Sequence, residues 1–254
     1  ADAWEAHCRR LCAEWNVAFS AVSVRVERDS GLGLEAAARK ARYRVFADCP
    51  AQAILLAHHL GDQAETLLFN LLRGSGLAGA ASMQVDRDWA GLRLLRPLLE
   101  TAPQEIEAYA RQNRLSWVED ESNGDTVFSR NFLRHQILSG LNRRFPGASR
   151  ALARAAGHFA EAQSLLDDLA EQDWSSAAQG EAVRLPDLRQ LSVPRLKNLL
   201  RYRLRRLGWR VPVANRLDEF ARQLQTAGPD RHPELKLPEG RMVAGRGLLR
   251  WTPN

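Results

Sequence analysis

Apolar residues in the first part of the chain follow helical and extended spacings in turn. They recur at helical intervals over residues 2–15, 34–49 and 62–73. Between these stretches, VAFSAVSVRV at 17–26 alternates as a strand does, and AILLA at 53–57 is a short apolar run typical of a buried strand. The order α-β-α-β-α predicts a parallel sheet covered by helices.

Further along, the pattern predicts a strand within 92–99, a helix over 103–113 and another helix beginning near Ser129. Residues 147–174 carry a continuous apolar stripe at helical spacing. We expect this long helix to connect two domains.

The last part of the chain predicts a short strand near Val183 and helices at about 194–207 and 214–226. A tail at 228–254, punctuated by Pro and Gly, predicts short strands. We therefore expect a second, mostly helical domain, in agreement with a length of 254 residues at about 150 per domain.

Charge is distributed unevenly along this chain. Residues 1–130 contain 15 basic and 18 acidic side chains, a net charge of −3, whereas residues 131–254 contain 21 and 12, a net charge of +9. A basic arm of this kind suits a polyanion such as nucleic acid. A solvated surface rich in arginine has the same composition, so both interpretations stay open.

Cysteine content and hydropathy indicate the compartment. Cys8, Cys12 and Cys49 form no C-x-x-C pair and are odd in number, which favours neither a disulfide framework nor a zinc site. Apolar runs stay well short of 18 residues, so no membrane span is predicted. We expect a cytoplasmic protein.

The segment AHHLGDQAET at 57–66 directly follows a buried strand, where open parallel sheets bind their ligands. With a helix beginning near His59, the side chains of His58, Asp62 and Glu65 share one face. Two carboxylates near a helix N-terminus can hold Mg²⁺ or a cationic amine. Alternatively, Asp62 caps the helix and Glu65 completes a capping box.

Glycines follow Arg73 in RGSGLAG at 73–79. Their backbone amides could cradle a phosphate. A helix stop made of Gly-Ser-Gly explains the same residues equally well.

Arg130, Asn131 and Arg134 open a helix after a polar loop. The two arginines lie one turn apart and can present two guanidinium forks to one phosphate or carboxylate. Surface salt bridges to the acidic residues at 119–121 would give the same pattern.

An Ala- and Arg-rich helix at 34–43 places Arg39, Arg42 and Tyr43 near one face, with Lys40 beside them. Such a stripe can contact a nucleic-acid backbone. A good helix former with solvated charges is the alternative.

Four segments in this order resemble the bacterial tRNA(Ile)-lysidine synthases: LEAAARKARYRVF, LAHHLGDQAETLLFNLLRGSG, RPLLETAPQEIEAYARQNRLSWVEDESN and SRNFLRHQIL. The resemblance covers about residues 1–140 closely and the remainder more loosely. It implies an N-type ATP pyrophosphatase of the PP-loop family with a Rossmann-like, adenine nucleotide alpha hydrolase-like sheet. In the implied reaction, ATP adenylates the wobble cytidine of a CAU-anticodon tRNA(Ile), and free L-lysine displaces AMP.

The resemblance also implies roles for the residues described above. His58, Asp62 and Glu65 match the H-x-x-x-D-x-x-E segment beside adenylate and lysine, where carboxylates can bind Mg²⁺ or orient the amine. Positions expected to face the nucleotide, the adenylated base or the tRNA backbone match Arg73, Arg130, Asn131 and Arg134. The basic stripe Arg39, Lys40 and Arg42 is expected to contact tRNA, and family members are often homodimers.

One family motif is absent from these residues. Lysidine synthases carry S-G-G-x-D-S after their first strand, the loop that grips pyrophosphate, and no such string occurs here. We therefore expect residues 1–140 to form a catalytic domain that is incomplete at its N-terminal side, 141–175 a linking helix and 176–254 a helical domain that binds tRNA.

Two alternatives stay open on the sequence. One is another PP-loop tRNA-modifying enzyme of the thiolase type, which typically uses paired cysteines that Cys8, Cys12 and Cys49 do not supply. The other is a tRNA-binding module without catalysis.

Overall fold

The structure, a computed structural model, describes most of the chain: residues 2–27, 33–119, 124, 126–127, 129–228 and 230–254. The described chain divides into two units, Ala1–Ala160 and Glu161–Asn254. The elements that begin in the first unit are, in chain order, α1 (Asp2–Glu14), α2 (Leu34–Ala47), β1 (Ala53–Leu55), α3 (Leu60–Leu72), α4 (Leu77–Ala80), β2 (Asp86–Trp89), β3 (Leu92–Leu95), α5 (Pro103–Gln112), α6 (Ser129–Phe132), a π-helical turn (Leu133–Leu138), α7 (Ser139–Arg144) and α8 (Ala148–Ala177).

A three-stranded sheet in the order β1-β3-β2 organises the first unit. β1 runs parallel to β3, with Leu55 opposite Leu95, and this pair confirms the predicted parallel arrangement. β2 is antiparallel to β3 and was not predicted. Its hairpin turns through Ala90 and Gly91, both at positive φ, as a two-residue turn between right-twisted strands requires.

The predicted strand at 17–26 is wrong. This segment forms no strand in the structure, and the side chains of Val17, Val22 and Val24 are exposed. Alternating polarity does not hold a strand without a paired neighbour, and within the described residues β1 pairs with β3 alone.

Helix α3 buries its apolar face against neighbouring helices. Leu67 is buried with Ala80 and Ala156, and this cluster is completed by Leu152 and Phe159 of α8. The start of α8 therefore packs on the first unit through one face. The long helix predicted over 147–174 is confirmed as α8.

The second unit combines helices with a five-stranded antiparallel sheet in the order β4-β5-β8-β7-β6. Its elements after α8 are β4 (Ala178–Gln179), β5 (Ala182–Arg184), α9 (Leu185–Leu188), α10 (Val193–Arg206), α11 (Ala214–Thr226), β6 (Glu234–Leu237), β7 (Gly240–Gly245) and β8 (Leu248–Pro253). The predicted helices and short strands are confirmed, and the strands join into one sheet. Leu196, Leu217 and Met242 are among the fully buried core residues.

None of the described helices is long and apolar enough to cross a membrane.

Candidate active site

A capping box fixes the first turn of α3 at the carboxyl end of β1. His59 is the N-cap, and its Nδ1 accepts a hydrogen bond from the backbone N–H of Asp62 at 3.2 Å. In return, Asp62 Oδ2 accepts from the backbone N–H of His59 at 2.9 Å. A capping box is therefore present, but its residues differ from the sequence interpretation: His59 and not Asp62 is the N-cap, and Asp62 and not Glu65 completes the box.

Arg134 brings the two carboxylates together. Its Nε donates to Glu65 Oε1 at 2.6 Å, and its Nη2 donates to Glu65 Oε2 at 3.1 Å and to Asp62 Oδ1 at 3.0 Å. The Glu65 side chain is only 4% exposed and that of Arg134 36%. Bidentate, charge-assisted contacts of this kind fix orientation as well as charge.

A π-helical turn carries Arg134. Leu133 and Leu138 are the buried residues of this turn, which lies between α6 and α7. Single π-helical turns inside α-helices occur frequently at functional sites because the extra residue re-aims neighbouring side chains. Here Arg134 points to α3.

Glu65 has an unusual ionisation equilibrium. Burial raises the pKa of Glu65 above its ordinary range, although the hydrogen bond and the charge of Arg134 act in the opposite direction. For Arg134, burial disfavours the charge, but the hydrogen bond and charge of Glu65 outweigh it and raise its pKa. For Glu65, the effect of burial therefore exceeds that of the neighbouring cation.

His58 precedes the cap and lies among positive charges. Burial lowers the pKa of His58, the charge of Asp62 opposes this, and Arg96, Arg39 and Arg130 lower it further. Its Nδ1 is buried and has no hydrogen-bond partner among the described residues. The imidazole is therefore neutral at neutral pH and able to accept a proton.

Arg96 is a residue that sequence reasoning missed. It directly follows β3, is 2% exposed and donates from Nη1 to the carbonyl oxygen of Gln84 at 2.7 Å. Burial lowers the pKa of Arg96, the Tyr43 hydroxyl opposes this, and Arg87 and Arg39 lower it further. The signal that could have identified it is the arginine at the carboxyl end of a strand, directly before Pro97.

Of the basic stripe of α2, Arg39 is close enough to His58 to lower its pKa. Arg39 Nη2 donates to the Tyr43 hydroxyl at 2.9 Å, and its guanidinium carbon lies 4.7 Å from the centre of the Tyr43 ring. Lys40 and Arg42 are exposed on the same helix. Their predicted contact with tRNA stays a prediction.

The remaining predicted residues occupy two places. Arg130 lies on α6, where its Nε is 3.0 Å from Glu35 Oε1, and Asn131 follows it on the same helix. Arg73 instead caps the C-terminus of α3 and stacks on Phe69 at 5.1 Å. Arg73 lies eleven positions after Asp62 along the helix, about 16 Å, so the structure does not bring Arg73 to the carboxylates.

A cavity of about 620 Å³ adjoins the ion pair. Glu65 and Arg134 lie in its wall, together with Glu107 and Arg150. This volume is in the range of sites that bind small molecules. The wall offers two acidic and two basic side chains, which suits a ligand that carries both charges.

The predicted magnesium site on Asp62 and Glu65 does not fit this arrangement. Both carboxylates already accept from the Arg134 guanidinium, whose charge repels a divalent cation at the same oxygens. Nowhere in the described ranges do three His, Cys, Asp or Glu side chains come together as metal ligands. These residues are therefore better suited to an amine or to Arg134 than to a metal ion.

The parallel β1–β3 pair and the charged cluster at its carboxyl end are typical of a nucleotide-binding α/β enzyme. Residues 1–141 match the family model of the PP-loop domain, and the chain belongs to that family. Residues 184–250 match the model of the TilS substrate binding domain.

Curated relatives make the comparison more specific. The tRNA(Ile)-lysidine synthase of Alkalilimnicola ehrlichii is 45% identical over 255 residues, covering 100% of this chain and 57% of that protein. The protein of the same name from Aromatoleum aromaticum is 46% identical and covers 94% and 55%, and that from Pseudomonas syringae is 42% identical and covers 100% and 58%. The chain spans somewhat more than half the length of these relatives.

Among solved structures, the U34-tRNA thiolase NcsA from Methanococcus maripaludis matches with a TM-score of 0.48 at 17% identity, over 62% of this chain and 56% of that chain. So weak a likeness does not distinguish between members of the family.

Proposed function

We propose that this chain carries out the chemistry of a tRNA(Ile)-lysidine synthase, the ATP-dependent ligation of L-lysine to C2 of the wobble cytidine in a CAU-anticodon tRNA(Ile). The names of the relatives support it. The observation that carries it is the Glu65–Arg134 pair, which lies in the wall of a cavity of suitable size beside the carboxyl ends of β1 and β3. Ligands bind at this edge in open α/β sheets.

The proposed reaction has two steps. The C2 oxygen of the cytidine attacks the α-phosphorus of ATP, a P–O bond forms, and pyrophosphate leaves. The ε-amine of lysine then attacks C2, the bond from C2 to the adenylate oxygen breaks, and AMP leaves. The amine loses a proton in this second step, and neutral His58 is suited to accept it.

Lysine fits the mixed charge of the cavity. Its carboxylate can bind Arg150 or Arg134, and its ammonium groups can bind Glu65 or Glu107, all of which line the wall. Arg134 and the ε-ammonium group of lysine compete for the Glu65 carboxylate. Because the two cations repel each other, Arg134 disfavours the charged form of the amine there. A neutral amine is the form that attacks C2.

Three arginines support the first step electrostatically. Arg39, Arg96 and Arg130 each lower the pKa of His58, which supports a contribution of their charges at this edge of the sheet. Fixed positive charges at this edge offset the charge that grows on phosphoryl oxygens. ATP would enter as its Mg²⁺ complex, with the metal carried by the nucleotide.

A lysine-transfer assay tests the proposal. The full-length gene product is incubated with ATP, Mg²⁺, radiolabelled lysine and a CAU-anticodon tRNA(Ile) transcript, with a tRNA(Ile) transcript bearing a GAU anticodon as control. Label on the first tRNA alone is expected. Absence of label from both would overturn the proposal, and label on both would refute its substrate specificity.

A homodimer remains a prediction from the resemblance, and a cytoplasmic location remains a prediction from the cysteine content and hydropathy. Light scattering at several protein concentrations tests the first of them, with a mass of twice the monomer expected. Cell fractionation tests the second.

A further inference from the structure

Residues 129–160 contain no acidic side chain. The same 32 residues include six arginines, namely Arg130, Arg134, Arg143, Arg144, Arg150 and Arg154. This net charge of +6 equals that of the entire chain. By contrast, Glu161–Asn254 mixes 16 basic with 12 acidic residues.

Four of these arginines are free of carboxylates in the described part of the chain. Arg130 pairs with Glu35, and Arg134 pairs with Glu65 and Asp62. The other four lie on α7 and the first half of α8, are exposed and form no ion pair with a described residue: Arg143, Arg144, Arg150 and Arg154. We call these four residues the α7–α8 surface.

Packing of α8 presents this surface to solvent. Its buried face contacts α3 and α4 through Leu152, Ala156 and Phe159. At 100° per residue, Arg150 and Arg154 lie on the opposite side, one turn apart. Two guanidinium groups so spaced can bind neighbouring phosphates of a nucleic-acid strand.

Exposed aromatic rings accompany the charges. Phe145 is 56% exposed, and the guanidinium carbon of Arg144 lies 5.1 Å from its ring centre. Phe132 is exposed as well. Aromatic rings beside arginines are the platforms on which unpaired bases of RNA stack, whereas a membrane surface would need the apolar face of α8, which is buried.

We propose that the α7–α8 surface binds the phosphate backbone of RNA, with Phe145 placed for an unpaired base. Arg150 also lines the cavity beside Glu65 and Arg134, so a strand bound here approaches that site. This inference rests on the proposed function, because it assigns a docking surface to the same RNA substrate.

Paired double variants test the surface. Binding of the CAU-anticodon tRNA(Ile) is measured by fluorescence anisotropy over a salt series for Arg143→Ala/Arg144→Ala and for Arg150→Ala/Arg154→Ala. The control is Arg9→Ala/Arg93→Ala, which removes two exposed arginines of the first unit that pair with Glu5 and Asp86. Each test variant is expected to raise the Kd about tenfold and to lower the slope of log K against log salt by about 1.5.

The control is expected to change neither quantity by more than about twofold. Test variants that match the control would overturn the proposal, as would vesicles of phosphatidylserine that bind the wild type as tightly as tRNA and lose binding in the same variants. Lysine transfer is followed in parallel. If the test variants lose tRNA affinity but the wild type transfers no lysine, the proposed function is refuted and the surface is supported. If the wild type transfers lysine but the test variants bind tRNA as the wild type does, the surface is refuted and the proposed function is supported.

Discussion

Arg134 Nε lies 2.6 Å from Glu65 Oε1, a contact between residues 69 positions apart in sequence. It connects the π-helical turn to the second turn of α3, beside the capping box of that helix. Since burial nevertheless raises the pKa of Glu65, the attraction of Arg134 does not fully offset the cost of burying the carboxylate. The Glu65–Arg134 pair is therefore better explained by a role in the reaction than by a contribution to the stability of the fold.

Removing the charge of Glu65 should separate activity from stability. In Glu65→Gln, the buried carboxylate and its desolvation cost disappear together with the ion pair, so the free energy of unfolding should stay within about 1 kcal/mol of wild type. Lysine transfer should fall at least about 100-fold, because the carboxylate that orients Arg134 and accepts a hydrogen bond from the amine is lost. Urea unfolding and the radiolabel assay measure the two. Exposed Glu100→Gln is the control, and a variant that unfolds while the control does not would indicate a structural role.

Removing Arg134 should lower the free energy of unfolding more than removing the charge of Glu65 does. Arg134→Gln leaves a nearly buried carboxylate without its cation, and we expect a loss of about 2–3 kcal/mol, reduced from the fully buried case because Arg134 is partly exposed. The double variant Arg134→Gln/Glu65→Gln should recover most of this loss. Additive losses in the double-mutant cycle would show that the pair is not coupled.

Glu65 should also make stability depend on pH. A carboxyl group with a raised native pKa favours the folded state while it is protonated, so its contribution is complete below the ordinary pKa of glutamate and is lost as pH rises through the raised native value. The unfolding free energy of wild type minus that of Glu65→Gln should therefore decrease between about pH 4 and neutrality. Chemical denaturation at half-unit pH intervals measures it. A difference that increases with pH would mean that Arg134 dominates the equilibrium.

The sequence predicted the local elements of the site but not its long-range pairing. Spacing alone placed Asp62 and Glu65 on one helical face and indicated a carboxylate or phosphate partner for Arg134. The alternative interpretation gave it surface salt bridges to the acidic residues at 119–121, nearby in sequence; residues 120 and 121 lie outside the described residues. The partners found are Asp62 and Glu65, which local periodicity cannot identify because a tertiary fold brings them together.

Two errors concern strands. The strand predicted at 17–26 requires a paired neighbour that alternation cannot supply, and the hairpin strand β2 was missed because Asp86–Trp89 is polar and short. The sheet of the second unit likewise follows from pairings between β5 and β8, whose residues are more than 60 positions apart. The helices of ten residues or more, whose hydrogen bonds are local, were predicted at nearly the observed bounds, whereas the four-residue helices α4 and α9 were not predicted.

A substitution at Gly240 tests the packing of the sheet in the second unit. A Cβ added at this residue, which begins β7, would overlap with the carbonyl oxygen of Thr252 and the ring of Trp209. We expect Gly240→Ala to cost about 3 kcal/mol, since a backbone atom cannot yield. Gly157→Ala, in open space on α8, should instead gain about 0.5–1 kcal/mol through helix propensity. Thermal unfolding compares the two, and equal effects would contradict the close packing of β7 on β8.

His58 offers a direct measurement of the positive potential at the edge of the sheet. Burial lowers its pKa first, and Arg39 is among the cations that lower it further. Removal of that exposed charge in Arg39→Met should therefore raise the pKa of His58 while leaving it below the ordinary value. Lys40→Met removes a neighbouring charge that is not among those acting on His58 and should leave the pKa unchanged. Titration of the imidazole resonance by NMR distinguishes them, with a His58→Gln variant to assign the signal. An equal shift in both variants would show that the pKa of His58 depends on the net charge of α2 and not on a specific arginine. That result would contradict the proposed role of Arg39 at the edge of the sheet where phosphoryl groups bind.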